Sequence, residues 1–183
     1  PPRRSLSSRV PPAVPGIGAE VTKPVIAAVC GPAVGLGLTL TVQADLAIAD
    51  ETAFFLYPEG QIGFTGGLIS GLAARVPAKI ASEILFLGER VDAGRALGTG
   101  LINAVTPEKQ LLARADAMAR TIAGKAPLVI RTLKQEMDMV LPASPAQVSG
   151  RFRARMRGIA ESADRQEGLA AFREKRAPGF RGS

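Results

Sequence analysis

The sequence predicts an α/β fold, with a covered sheet in the first part of the chain and a helical region after it. Two observations carry this. Before residue 106, apolar runs of strand length alternate with short helical segments punctuated by glycine or proline, the pattern of a sheet buried on both faces. From Pro107 onward the apolar residues switch to helical spacing. A chain of 183 residues with 46% hydrophobic content holds enough material for one good core, or one domain with an appendage.

Residues 1–22 are rich in Pro, Ser, Arg and Gly and read as loop. Residues 24–44 carry no charge, a length that invites a membrane span. Pro32, three glycines, Thr39, Thr41 and Gln43 argue against it. A soluble reading divides the run into a strand at 25–29, a glycine-rich turn at 31–37 and a short helix to Gln43. A strand at 45–49 and another at 53–57 follow, the second broken by Pro58-Glu59-Gly60. "GFTGGLISGLAARV" reads as a turn and an apolar helix, and 78–87 as an amphipathic helix ended by Gly88. Asp92 caps a short helix, and "LINAV" is a short strand. Helices are expected at 107–124, from Pro127 to Leu141, at 145–162 and at 164–176. The last has Asp164 and Glu167 in capping-box spacing.

Composition removes several kinds of chemistry. The chain has no histidine, so Ser-His-Asp and Cys-His nucleophile systems are absent and most zinc sites are excluded. Its one cysteine, Cys30, rules out an internal disulfide. Acid–base chemistry near neutral pH falls to carboxylates, Lys, Tyr, Cys or a cofactor. Residues 151–183 hold nine Lys/Arg against four Asp/Glu, so +5 of the +7 net charge sits there. A nucleic acid, a membrane surface or a phosphorylated small molecule would suit that tail, as would a solvated helix face. Arg151, Arg153, Arg155 and Arg157 fall on two sides of a helix, and one Tyr with no Trp leaves few stacking platforms. Nucleic acid is not the expected partner. No signal-peptide pattern opens the chain, and a soluble, cytoplasmic protein is expected.

Familiar phosphate and nucleophile motifs fail. Gly35-Leu36-Gly37 lacks the third glycine of a dinucleotide fingerprint, the phosphate loop is absent, and Leu68 stands where G-x-S-x-G needs glycine. What remains is a strand running into glycines that open a helix, where backbone N–H groups and the helix dipole face outward. That arrangement suits an oxyanion such as a thioester enolate. Close helix–strand packing is the other reading of the same glycines. Glu59 follows an apolar strand and Pro58. Partial desolvation there would raise its pKa and make it a proton shuttle, while an exposed turn acid is the plainer reading.

Four segments together resemble the enoyl-CoA hydratase/isomerase, or crotonase, family. They are "KPVIAAVCGPAVGLGLTLTVQADLAIAD", "AFFLYPEGQIGFTGG", "LGERVDAGRALGTGLINAVTP" and "DRQEGLAAFREKR" with its following "PGF". They keep the family's order and spacing over residues 23–181. The resemblance implies a crotonase-like spiral of ββα units across 1–106, with the N-terminal part of that spiral expected to be missing. It also implies a C-terminal helical region, 107–183, that drives assembly into a homotrimer or a dimer of trimers. The substrate would be an acyl-CoA, coenzyme A being part of it, with no separate cofactor and no metal.

By position, the N–H of Leu36 would be one of two oxyanion donors, within the turn of Gly35 and Gly37. The second donor belongs to a family segment before residue 23, where this chain has only its Pro/Arg/Ser-rich stretch. Glu59 matches the second of the two hydratase glutamates. Thr39 stands where the first would be, and threonine can hydrogen-bond but not shuttle a proton. A 1,3-proton shift needs only one base, so the expected chemistry is isomerase-like or another enolate reaction. A true hydratase and a non-catalytic acyl-CoA-binding member remain the alternatives. Phe172 and Lys175 match residues that meet the adenine and 3′-phosphate of CoA.

Overall fold

The computed structural model describes residues 21–65, 68–141 and 158–182. Two small sheets form its centre. Strands β1 (Ile26–Val29), β3 (Leu46–Asp50) and β6 (Ala104–Thr106) make an all-parallel sheet in the order β1-β3-β6. Ile26 pairs with Leu46, and Asp50 with Thr106. The second sheet is β2 (Pro32–Val34), β4 (Phe54–Leu56) and β5 (Val91–Asp92), parallel between β2 and β4 and antiparallel between β4 and β5.

The uncharged run from 24 to 44 is thus divided into β1, β2 and helix α1 (Leu36–Gln43). Among the described residues, no helix is long and apolar enough to cross a membrane. β2 corrects the expectation of a plain turn at 31–37. Its residues take up strand geometry because β4 offers a parallel partner, with Pro32 beside Phe54 and Val34 beside Leu56. Such a long-range partner leaves no local signature, and Pro32, which has no N–H, suits an edge strand.

The core gathers Leu38 of α1, Phe55 of β4, Leu72, and Ile84 of helix α2 (Ala78–Leu87). Leu72 sits on a 3-10 segment, Leu68–Ala74, where the sequence suggested an α-helix. The Arg75 N–H reaches back three residues to the Leu72 carbonyl, and Gly71 within the segment weakens α-helix propensity. Gly88 ends α2 in the left-handed region at φ 61. Asp92 caps α3 (Ala93–Gly98) by accepting from the Arg95 N–H at 2.7 Å.

Helices α4 (Leu111–Ala123) and α5 (Pro127–Val140) follow. α4 packs on β1 and β3. α5 is tied down by Lys134, whose ammonium lies 2.6 Å from Asp45. Asp45 also accepts the Val25 N–H at 2.7 Å, so one carboxylate fastens the start of β1 to α5. The helix expected at 145–162 falls mostly outside the described residues; 158–161 are helical. The Arg151–Arg157 series lies outside them.

The last helix, α6 (Ala163–Glu174), is capped two residues earlier than predicted. Ser162 is the cap, accepting from the Arg165 N–H at 3.1 Å. Asp164 and Glu167 instead hold the chain that follows the helix. Asp164 accepts from the N–H groups of Arg181 and Gly182 at 2.7 and 2.8 Å. Glu167 accepts from Arg176 and from the Gly179 N–H, and the Arg176 hydrogen bond leads in pushing its carboxyl down to about 2.

Candidate active site

The glycine turn lies between β2 and α1. Gly35 occupies φ 56, outside the usual range of residues with a side chain, and serves as the N-cap of α1. Its N–H donates to the Leu56 carbonyl at 2.9 Å, which extends the β2–β4 ladder into the turn. A Cβ at position 35 would stand 2.5 Å from Oε1 of Glu59. The turn and the glutamate predicted from sequence are therefore in direct contact, and a side chain at 35 would have to push the carboxylate aside.

Glu59 opens a 3-10 turn, Glu59–Ile62, directly after Pro58. Its side chain is partly buried, and Oε2 is shielded from solvent without a hydrogen-bond partner. Burial pushes its pKa up, against the weaker opposing effect of its own backbone N–H. A carboxylate held this way binds a proton more readily than one in water and releases it to a base of matched strength.

Leu36 is the first residue of α1, so its N–H has no carbonyl four residues back within the helix. Its side chain is half exposed, pointing out of the core while the amide stays at the helix N-terminus. Gly37 is less demanding: a Cβ there would make only an ordinary 3.7 Å contact with Ala33. Thr39 is buried, and its hydroxyl donates to the Gly35 carbonyl at 3.0 Å. The same carbonyl accepts the Thr39 N–H, also at 3.0 Å. The threonine thus braces the turn rather than presenting a free hydroxyl.

Phe172 and Lys175 stand exposed at the C-terminal end of α6, where Lys175 caps the helix at φ 54. The other end of α6 packs on the turn that carries Glu59. Gly168, mid-helix, would place a Cβ 2.5 Å from the backbone carbon of Ile62. The sequence reading missed this contact, although a lone glycine inside a helical segment is its signal.

The family model for enoyl-CoA hydratase/isomerase matches residues 19–183. The chain belongs to the enoyl-CoA hydratase/isomerase family. A Thermus thermophilus protein named as a candidate enoyl-CoA hydratase is 38% identical over 160 residues, 86% of this chain and 63% of its own length. The carnitinyl-CoA dehydratase of Proteus mirabilis is 34% identical, over 89% of this chain and 65% of that protein. Among solved structures, the carnitinyl-CoA hydratase of Mycobacterium avium superposes with a TM-score of 0.82 at 34% identity, covering 90% of this chain and 65% of that one. The crotonase fold expected from the resemblance is therefore the fold observed. This member of the enoyl-CoA hydratase/isomerase family spans about two thirds of the length of the relatives it matches.

Proposed function

We propose that this protein transfers protons on an acyl-CoA thioester through an enolate, with Glu59 as the single acid/base. The observation that carries this reading is the partly buried Glu59 carboxylate, its Oε1 lying against Gly35 at the N-terminus of α1 and its pKa raised. A thioester oxygen received by the Leu36 N–H would stand at the positive end of α1, where an enolate is stabilised. Glu59 would take the α-proton, the electron pair moving onto that oxygen. It would then return the proton to the same or another carbon.

Thr39 favours this over hydration. Adding water needs one group to hold and deprotonate it and another to protonate carbon. The Thr39 hydroxyl is occupied by the Gly35 carbonyl, which leaves one carboxylate for both tasks. The second reading, a hydratase or dehydratase, draws support from the relatives named as carnitinyl-CoA dehydratases. Incubating the protein with butyryl-CoA in deuterated buffer tests the first reading, with α-proton exchange expected. Hydration of 2-enoyl-CoA at rates above 3-enoyl isomerisation would select the second, and acyl-CoA binding without either reaction would make the protein a non-catalytic binder.

Phe172 and Lys175, with the basic C-terminal region, would meet the adenine and phosphates of CoA. The exposed apolar face of α5, including Val129, Leu133, Met137 and Val140, would be covered by other copies in a homotrimer. Light scattering of the purified chain checks that assembly, and a monomer at micromolar concentration would refute it.

A further inference from the structure

We infer that Gly168 is a positioning residue for Glu59: α6 holds the glutamate's turn against Gly35, and does so because residue 168 has no side chain. This rests on the reading of Glu59 as the acid/base, although where its carboxylate sits can be measured without turnover.

Three contacts bind α6 to that turn. A Cβ at Gly168 would lie 2.5, 2.8 and 2.9 Å from the carbon, oxygen and Cα of Ile62. These are backbone atoms and cannot swing aside. One residue on, Gly63 would place a Cβ 2.7 Å from the Asp164 carbonyl oxygen. Beyond it, the Arg165 guanidinium lies 5.1 Å from the centre of the Phe64 ring. α6 therefore grips residues 62, 63 and 64 in succession. A glycine inside a helix costs about 1 kcal/mol relative to alanine, and this close approach accounts for one at 168.

The gripped turn is itself stiff. The Gln61 N–H donates to the Pro58 carbonyl at 2.9 Å and the Phe64 N–H to the Glu59 carbonyl at 3.0 Å. On the opposite side the Glu59 carboxylate meets Gly35 so closely that a methyl group there would displace it. The order is α1 terminus, glutamate turn, α6, with a glycine at each contact. A methyl at 168 either lifts α6 or slides the turn, and both move Glu59 out of its desolvated place. The charged groups that α6 brings to the turn are otherwise engaged: Arg165 stacks on Phe64, and Asp164 accepts from the tail N–H groups. α1 and β4 carry no charged residue.

The test is a carbon-13 NMR titration of glutamate carboxyl carbons in the full chain, with Glu59→Gln identifying the Glu59 signal. In Gly168→Ala the Glu59 midpoint should fall toward that of a free glutamate. The kcat for butyryl-CoA α-proton exchange should drop about tenfold to hundredfold with KM little changed. Gly98→Ala, at a glycine with open space around it, should change neither. A folded Gly168→Ala protein whose Glu59 midpoint is unmoved overturns the inference. If that variant does not fold, Arg165→Gln carries the test: a smaller fall supports the inference and an unmoved midpoint overturns it. A lowered midpoint in a protein whose wild type exchanges no α-protons supports the positioning and counts against the proposed function. Exchange by the wild type with an unmoved midpoint in the variant does the reverse.

Discussion

Glu59 and Asp50 are two carboxylates set among apolar strands, and their surroundings push them in opposite directions. Asp50 ends β3 with no exposed surface. Burial alone would raise its pKa. The Cys30 thiol, the hydroxyl and N–H of Thr52 and the Gly31 N–H outweigh it and hold the carboxyl below its ordinary value, although Oδ2 itself has no hydrogen-bond partner. The two Thr52 bonds are 2.8 and 2.9 Å. Glu59 is less buried, yet its only opposing hydrogen bond comes from its own N–H, and its pKa rises. The number of donors, more than the depth of burial, decides which carboxylate stays charged. Asp50 is a charged anchor for the 51–52 turn; Glu59 is the carboxylate that the proposed function would use as a proton carrier.

The largest effect should come from removing the carrier. Glu59→Gln keeps the shape and loses the proton, so α-proton exchange should fall about 10²- to 10⁴-fold, while acyl-CoA affinity measured by calorimetry stays near wild type. Unchanged turnover would place the acid/base elsewhere. Gly35→Ala attacks the same contact from the other side. A side chain at φ 56 costs on the order of 1–3 kcal/mol, and its Cβ must displace the Glu59 carboxylate. Both stability and exchange should fall, and a variant that exchanges at the wild-type rate would show that the contact is not needed.

Asp50→Asn probes the anchor. Asparagine can accept from Thr52 through Oδ1, but its amide group then puts N–H donors in the buried place of Oδ2, where no partner stands. An unsatisfied buried donor costs about 1–3 kcal/mol, so Tm should drop by several degrees while exchange per folded molecule is kept. The sign of its pH dependence follows from the lowered pKa. Asp50 stabilises the fold above its unfolded pKa, and that contribution disappears as pH falls through its folded value. Acid melting of the wild type should therefore be steeper than that of the variant.

Much of this contrast was legible in the sequence. Glu59, Gly35 and Leu36 were brought together as a group by the resemblance to the family, since local rules read the glycines equally as packing and Glu59 as a plain turn acid. Asp92, Gly88 and Pro127 marked helix ends because a cap is written within a few residues of the end it serves. What stayed hidden depends on distant partners. β2 exists through β4, and the α6 cap moved to Ser162 while Asp164 and Glu167 turned to a tail more than ten residues away. Asp50 gave no local signal of its burial, which comes from the strands paired on either side of β3.

The smallest effect is the most specific to Glu59. A carboxyl whose folded pKa lies above its unfolded one binds more protons in the native state, so the fold loses stability as pH rises through that window. At pH 7 the ionised Glu59 is thus a mild liability to the fold, discounted because its side chain is only partly buried. Glu59→Gln should therefore melt slightly higher than wild type at pH 7, by no more than about 2–4 °C. The gain should shrink toward zero as pH falls through the unfolded glutamate pKa, about 4.3. Differential scanning calorimetry across that range reads both limbs. A variant that melts lower than wild type at neutral pH would mean that the Glu59 carboxylate is stabilised by donors and belongs with Asp50 after all.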